Sequence, residues 1–108
     1  MNNEYSFIIE SPTEMMAALA EKVRCRRLEK NMSRRELSER SGVPVATLAK
    51  FEQHHAISLQ QFVAIVVTLG YGDQITQLLA EPRYKTLAEL EMIKANKNRK
   101  RGRAEINR

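Results

Sequence analysis

Apolar residues recur through the middle of this chain at intervals of three and four, the spacing of one helix face. Met16, Leu19, Ala20 and Val23 predict a first helix over about residues 12–30. Leu37 marks the inner side of a second helix over 34–41, with Gly42 as its stop. Leu48 and Phe51, three apart, predict a third over about 45–53. The run Leu59, Phe62, Val63, Ile65, Val66, Val67, Leu69 holds enough β-branched residues for a strand. Its length and flanking signals favour a buried fourth helix over 59–69, closed by Gly70 and Gly72. Ile75, Leu78 and Leu79 predict a fifth helix, with Asp73 as candidate cap and Pro82 as the barrier after it. Leu87, Leu90 and Ile93 predict a sixth over 87–95. Beyond Ala95 the apolar pattern vanishes, and a disordered tail is expected. At the other end, Tyr5-Ser6-Phe7-Ile8-Ile9 is a short β-prone run. It reads as a strand pairing with a partner chain, an arm laid on the body, or a frayed terminus.

Polar punctuation supports these helices. Ser11-Pro12-Thr13-Glu14, Ser33-Arg34-Arg35-Glu36, Ser58-Leu59-Gln60-Gln61 and Thr86-Leu87-Ala88-Glu89 all fit the capping box. In that box a hydroxyl accepts from the amide three residues on, and the Glu or Gln there reaches back. Pro12 suits the first helical position, where its missing N–H costs nothing.

Spacing and caps together predict an all-α fold, and composition agrees. The chain has 108 residues, one domain's worth with tails. Aromatics are 6% with no Trp, so the core is mainly aliphatic, and 4 Gly with 3 Pro argue against a turn-rich β fold. The expected organisation is an arm or short strand over 1–10, a helical domain over 11–80, a helical extension over 81–95 and a basic tail over 96–108. No apolar run reaches the length of a membrane span, and Met1-Asn2-Asn3-Glu4 lacks a signal peptide's basic start. Cys25, the single cysteine, excludes an internal disulfide framework and cannot alone build a thiolate metal site. A cytosolic, disulfide-free protein is the expectation.

Charge is segregated. Residues 1–21 carry −4, 22–50 carry +6, 51–93 carry −3 and 94–108 carry +6, which sum to the net +5. Two basic blocks suit a polyanion partner, nucleic acid above all, and suit equally a solvated face with a solubilising tail.

The second and third helices are joined by Ser41-Gly42-Val43-Pro44, the parts of a helix-turn-helix. Gly42 supplies the positive φ at the corner, Val43 plugs the angle, and Leu37, Leu48 and Phe51 hold the crossing. The outer face of the third helix is then free to enter a major groove. The stretch Val23-Arg24, Arg27-Leu28, Met32-Ser33-Arg34-Arg35-Glu36-Leu37-Ser38-Glu39-Arg40-Ser41-Gly42-Val43, Thr47-Leu48-Ala49-Lys50-Phe51-Glu52, Leu59, Phe62, Ile65 and Leu69-Gly70 resembles the Cro/C1-type (XRE) domain. The resemblance covers about residues 20–72. It implies a five- to six-helix, lambda repressor-like domain that binds double-stranded operator DNA as a homodimer. Carried over by position, Val45, Ala46 and Lys50 would face base edges, and Arg34, Arg35 and Thr47 would contact phosphate. Lys50 is able to donate to guanine O6 or N7, and the small apolar side chains to meet thymine methyls. Glu52 would be structural. Pro44-Val45-Ala46 departs from the Gln or Ser many members carry early in this helix, which shifts specificity towards DNA shape. His54 stands where the family usually has Gly, leaving the following loop's geometry open, and is a further candidate phosphate contact.

The Ser11-Pro12-Thr13 start and the basic C-terminal extension are similar to HipB-type regulators of toxin–antitoxin operons. That likeness implies a bacterial cytoplasmic repressor, on the nucleoid when bound, with a HipA-like Ser/Thr kinase toxin as partner. A prophage repressor, a restriction–modification controller, and a protein-interaction module with a vestigial DNA face are the alternatives. Arg99, Lys100, Arg101 and Arg103 in the tail are expected to clamp phosphates; binding an acidic protein or simple solubilisation are the other readings. No enzyme, cofactor or metal is expected. His54 and His55 lack partners at ligand spacing, Cys25 lacks a paired base, and no phosphate loop is present.

Overall fold

The structure, a computed structural model, describes residues 11–102. The expected N-terminal strand and Arg103 lie outside them. The described residues form six helices and no strand, an all-α fold. They are α1 (Pro12–Glu29), α2 (Arg34–Ser41), α3 (Val45–His54), α4 (Leu59–Thr68), α5 (Gly72–Gln77) and α6 (Leu87–Ala95).

Local chemistry sets these boundaries. The Ser11 hydroxyl accepts from Glu14 N–H, the Glu14 carboxylate takes the Ser11 N–H, and Pro12 occupies the first position of α1. Thr86 and Glu89 repeat that reciprocal box at α6. Ser33 and Ser58 complete only half of theirs. Glu36 turns to Arg40 at 2.7 Å instead, and Gln61 accepts from the Ser58 hydroxyl. α1 ends in a Schellman motif absent from the sequence expectation. Asn31 adopts φ 54°, its N–H donates to the Leu28 carbonyl, and Met32 N–H donates to that of Arg27.

Contacts divide the chain after Thr76 into two compact units. In the first unit α1 and α2 both pack on α3, and α4 packs on α2. Their common core is Ala20, Val23, Met32, Leu37, Val43, Leu48, Phe51, Ile65 and Leu69. Phe51 meets Phe62 edge to face, with centroids 5.9 Å apart. The buried stripe of α1 is Ala20, Val23 and Arg27, with Met16 packed beside it and Leu19 left 37% exposed.

Two expectations need correction here. α4 is not buried all round: Ile65 alone is fully buried, while Leu59 and Val67 stand in solvent. Its inner residues, Phe62, Ile65 and the following Leu69, follow helical spacing, Ala64 packs beside them, and Val63 and Val66 are only half-buried. α5 is also shorter than expected. Asp73 lies inside it rather than capping it, and Leu78 and Leu79 lie beyond it. Leu79 takes φ 61°, a left-handed conformation that ends a helix before Pro82 is reached. The second unit, from Gln77 onward, holds α6, where no residue is fully buried. Residues 96–98 form a turn in which Arg99 N–H donates to the Asn96 carbonyl.

Candidate nucleic-acid interface

The α2–α3 corner is built as its sequence implies. Gly42 has φ 80°, and its N–H donates to the Ser38 carbonyl at 2.9 Å. A Cβ there would meet nothing within 4 Å, so the backbone angle, not space, selects glycine. Val43 is buried in the angle, and its N–H donates to the Ser41 hydroxyl at 3.1 Å. Pro44 starts α3 without a side-chain cap.

With Leu48 and Phe51 wholly buried, the opposite face of α3 is fixed by helical geometry. Val45, Ala46 and Lys50 all lie on the exposed side, and Thr47 and Ala49 are half-buried flanks. Lys50 forms no ion pair among the described residues, whereas all six arginines of the same basic block do. This end of α3 thus presents small apolar groups and one unpaired ammonium.

The other proposed contacts are distributed unevenly. Arg34 and Arg35 open α2. Arg35 is highly exposed and sits 3.9 Å from Glu39. Arg34 is only one-third exposed, and its Nε donates to Glu52 Oε1 at 3.0 Å. His54 is exposed but is the last residue of α3, not part of a loop. His55 is the residue that turns left-handed, at φ 66°, and its N–H donates to the Phe51 carbonyl at 2.8 Å. Arg99, Lys100 and Arg101 are exposed in the second unit. Arg103 lies outside the described residues.

The feature that spacing did not reveal is the junction under α3. Glu52 is structural as expected, and its side chain is 1% exposed. Its two oxygens accept from Arg27 Nε and Nη2, each at 2.9 Å. Arg27 spends its remaining group, Nη1, on the Met32 carbonyl at 2.8 Å. Burial alone would push the Glu52 carboxyl up. The hydrogen bonds from Arg27 and Arg34, with the attraction of both guanidiniums, outweigh it and hold the pKa below the usual carboxylate range. Cys25 is half-buried, with Sγ 3.5 Å from Glu21 Oε2. Among the described residues, no three His, Cys, Asp or Glu side chains are grouped to hold a metal ion, and no helix is long and apolar enough to cross a membrane.

A short helix, a left-handed glycine corner and a second helix with an exposed outer face define a helix-turn-helix unit. Residues 23–73 match the family described as helix-turn-helix, HTH_3. The domain formed by these residues belongs to that Cro/C1-type family, and the chain is a DNA-binding transcription regulator. No curated protein and no solved structure matches the chain.

Proposed function

We propose that this chain is a sequence-specific repressor that binds a palindromic operator as a homodimer. The observation that carries the reading is the outer face of α3: exposed Val45 and Ala46 with unpaired Lys50, set on a back face locked by Leu48 and Phe51. In a major groove, Lys50 donates to guanine and the two small side chains contact thymine methyls. Arg34, Arg35, Thr47 and His54 flank that face as phosphate contacts, and Arg99, Lys100, Arg101 and Arg103 add further ones. The unpartnered apolar side chains of α4 (Leu59, Val67) and of α6 (Leu87, Met92) support self-association.

The operon assignment extends this reading. The protein represses its own toxin–antitoxin operon in a bacterial cytoplasm and also binds a HipA-like Ser/Thr kinase toxin. The Ser11-Pro12-Thr13 start and the helical, then basic, extension after the domain support it. Prophage repression and restriction–modification control would use the same DNA face on other operators, without the kinase partner.

The test is binding of the purified protein to DNA from upstream of its own coding sequence, beside a scrambled duplex, across a salt titration. A preference of about a thousandfold or more at physiological salt, with half-sites about one helical turn apart, is the expected result. Equal affinities that collapse together as salt rises would leave only polyanion attraction and remove the repressor reading.

A further inference from the structure

Arg27 and Arg34 share one buried carboxylate but are left in different states. Arg27 is 6% exposed, and all three of its nitrogens are hydrogen-bonded, two to Glu52 and one to the Met32 carbonyl. It holds α1 against α3. Arg34 gives only Nε to Glu52 Oε1. Its side chain is 34% exposed, and its two terminal nitrogens have no partner among the described residues. A guanidinium is planar and rigid, so the bond at Nε restricts the direction in which the other edge points. The free edge carries two terminal nitrogens, the donor pair that suits two oxygens of a phosphate.

Arg34 is also the first residue of α2, while Glu52 sits on α3 directly after buried Phe51. The 3.0 Å bond between them therefore spans the two helices of the motif. We propose that Glu52 is a positioning residue for DNA binding: it holds Arg34 as a pre-oriented phosphate anchor, in fixed register with the base-reading face of α3. This rests on the DNA-binding reading above and adds to it a division of labour between two arginines on one carboxylate. A side chain ordered before binding loses less freedom on binding, so the anchor contributes through geometry as well as charge. Lysine, a single rotatable ammonium on a flexible stem, has no planar edge of two donor nitrogens to present while it bonds Glu52.

The experiment uses the full chain and two fluorescent duplexes, its own upstream DNA and a scrambled one, across a salt titration. Because Glu52→Gln would also strip Arg27 of its buried partner, the decisive variants are Arg34→Gln and Arg34→Lys, which leave the Arg27–Glu52 pair whole. Arg34→Gln is expected to weaken binding about tenfold or more and to lower the salt slope by about one per bound protomer, on both duplexes. Arg34→Lys restores the charge but is expected to recover little of the affinity. Wild-type affinity in Arg34→Lys would overturn the positioning role, since a point charge would then suffice. An unchanged affinity and slope in Arg34→Gln would overturn the anchor itself. Phosphate contacts are sequence-independent, so the scrambled duplex reads the anchor even if the upstream duplex shows no preference. That last result would remove the repressor reading and leave the anchor to be judged on its own slope.

Discussion

Glu52 shows how much one residue decides. A carboxylate 1% exposed beside a hydrophobic core would normally favour its neutral form. Here two guanidiniums reverse that and hold its pKa below the ordinary 4.5. A lowered folded-state pKa stabilises the fold above the unfolded value and loses that contribution as pH falls through the folded one. The thermal midpoint of the wild type should therefore drop as the medium is acidified below about pH 4.5. Glu52→Gln should start lower at neutral pH and lack that component, so the gap between the two should close in acid. A constant gap would mean that the carboxylate's charge contributes nothing. His55 makes the opposite kind of prediction. Its φ of 66° strains a side chain with a Cβ, at roughly 1 kcal/mol. His55→Gly should raise stability in urea by about 0.5–1 kcal/mol, and a fall would mean that the half-buried imidazole holds more than the backbone loses. At this scale the sequence was unevenly legible. Leu37, Val43, Leu48 and Phe51 were readable because core spacing is local. Glu52 was readable as structural, but its partners lie 25 and 18 residues away among nine basic residues, and no local pattern says which of them turn inward. The left-handed turn at His55 was not legible, because such a turn is usually signalled by glycine and none stands there.

Helices are where legibility was greatest, since caps and periodicity both act within a few residues. α2 and α6 begin and end where Ser33, Gly42, Thr86 and Ala95 imply. The boxes themselves differ in a way only side-chain geometry reveals. Ser33 still caps α2, so Ser33→Ala should cost about 1 kcal/mol. Glu36 does not close the box and instead pairs with exposed Arg40, so Glu36→Ala should cost only a few tenths. Chemical denaturation of both variants checks this; equal losses would mean that Glu36 reaches the cap in solution. α4 was misread because a run of apolar residues does not say how many sides of a helix are covered. α3 was read well, and its prediction follows from its exposed face. Lys50→Ala should flatten discrimination at one base pair by about 1–3 kcal/mol while leaving the other positions of a mutated operator set unchanged. A uniform loss across all positions would instead make Lys50 a phosphate contact.

For the whole molecule, charge and packing divide differently. The basic block over 22–50 looks large in sequence, yet in the fold all six of its arginines are matched by Glu21, Glu29, Glu36, Glu39 and Glu52. The C-terminal block has no such neutralisation built into its sequence: residues 94–108 carry seven bases and one acid. Arg99, Lys100 and Arg101 are exposed and form no ion pair among the described residues. If the tail clamps phosphates, much of the counterion release on binding must come from it, even though the face proposed to read bases is on α3. Deleting residues 96–108 should then lower the salt slope by about two units or more per protomer. Affinity for any duplex should weaken, most of all at low salt. The ratio between operator and scrambled DNA should change far less, because phosphate contacts position a protein without reading sequence. A truncated protein with unchanged slope and affinity would show that the tail never meets DNA, and its six bases would then need an acidic protein partner or serve solubility alone. A truncated protein that loses the ratio as well would place the tail in a groove, where its Arg101-Gly102-Arg103 core would be reading shape.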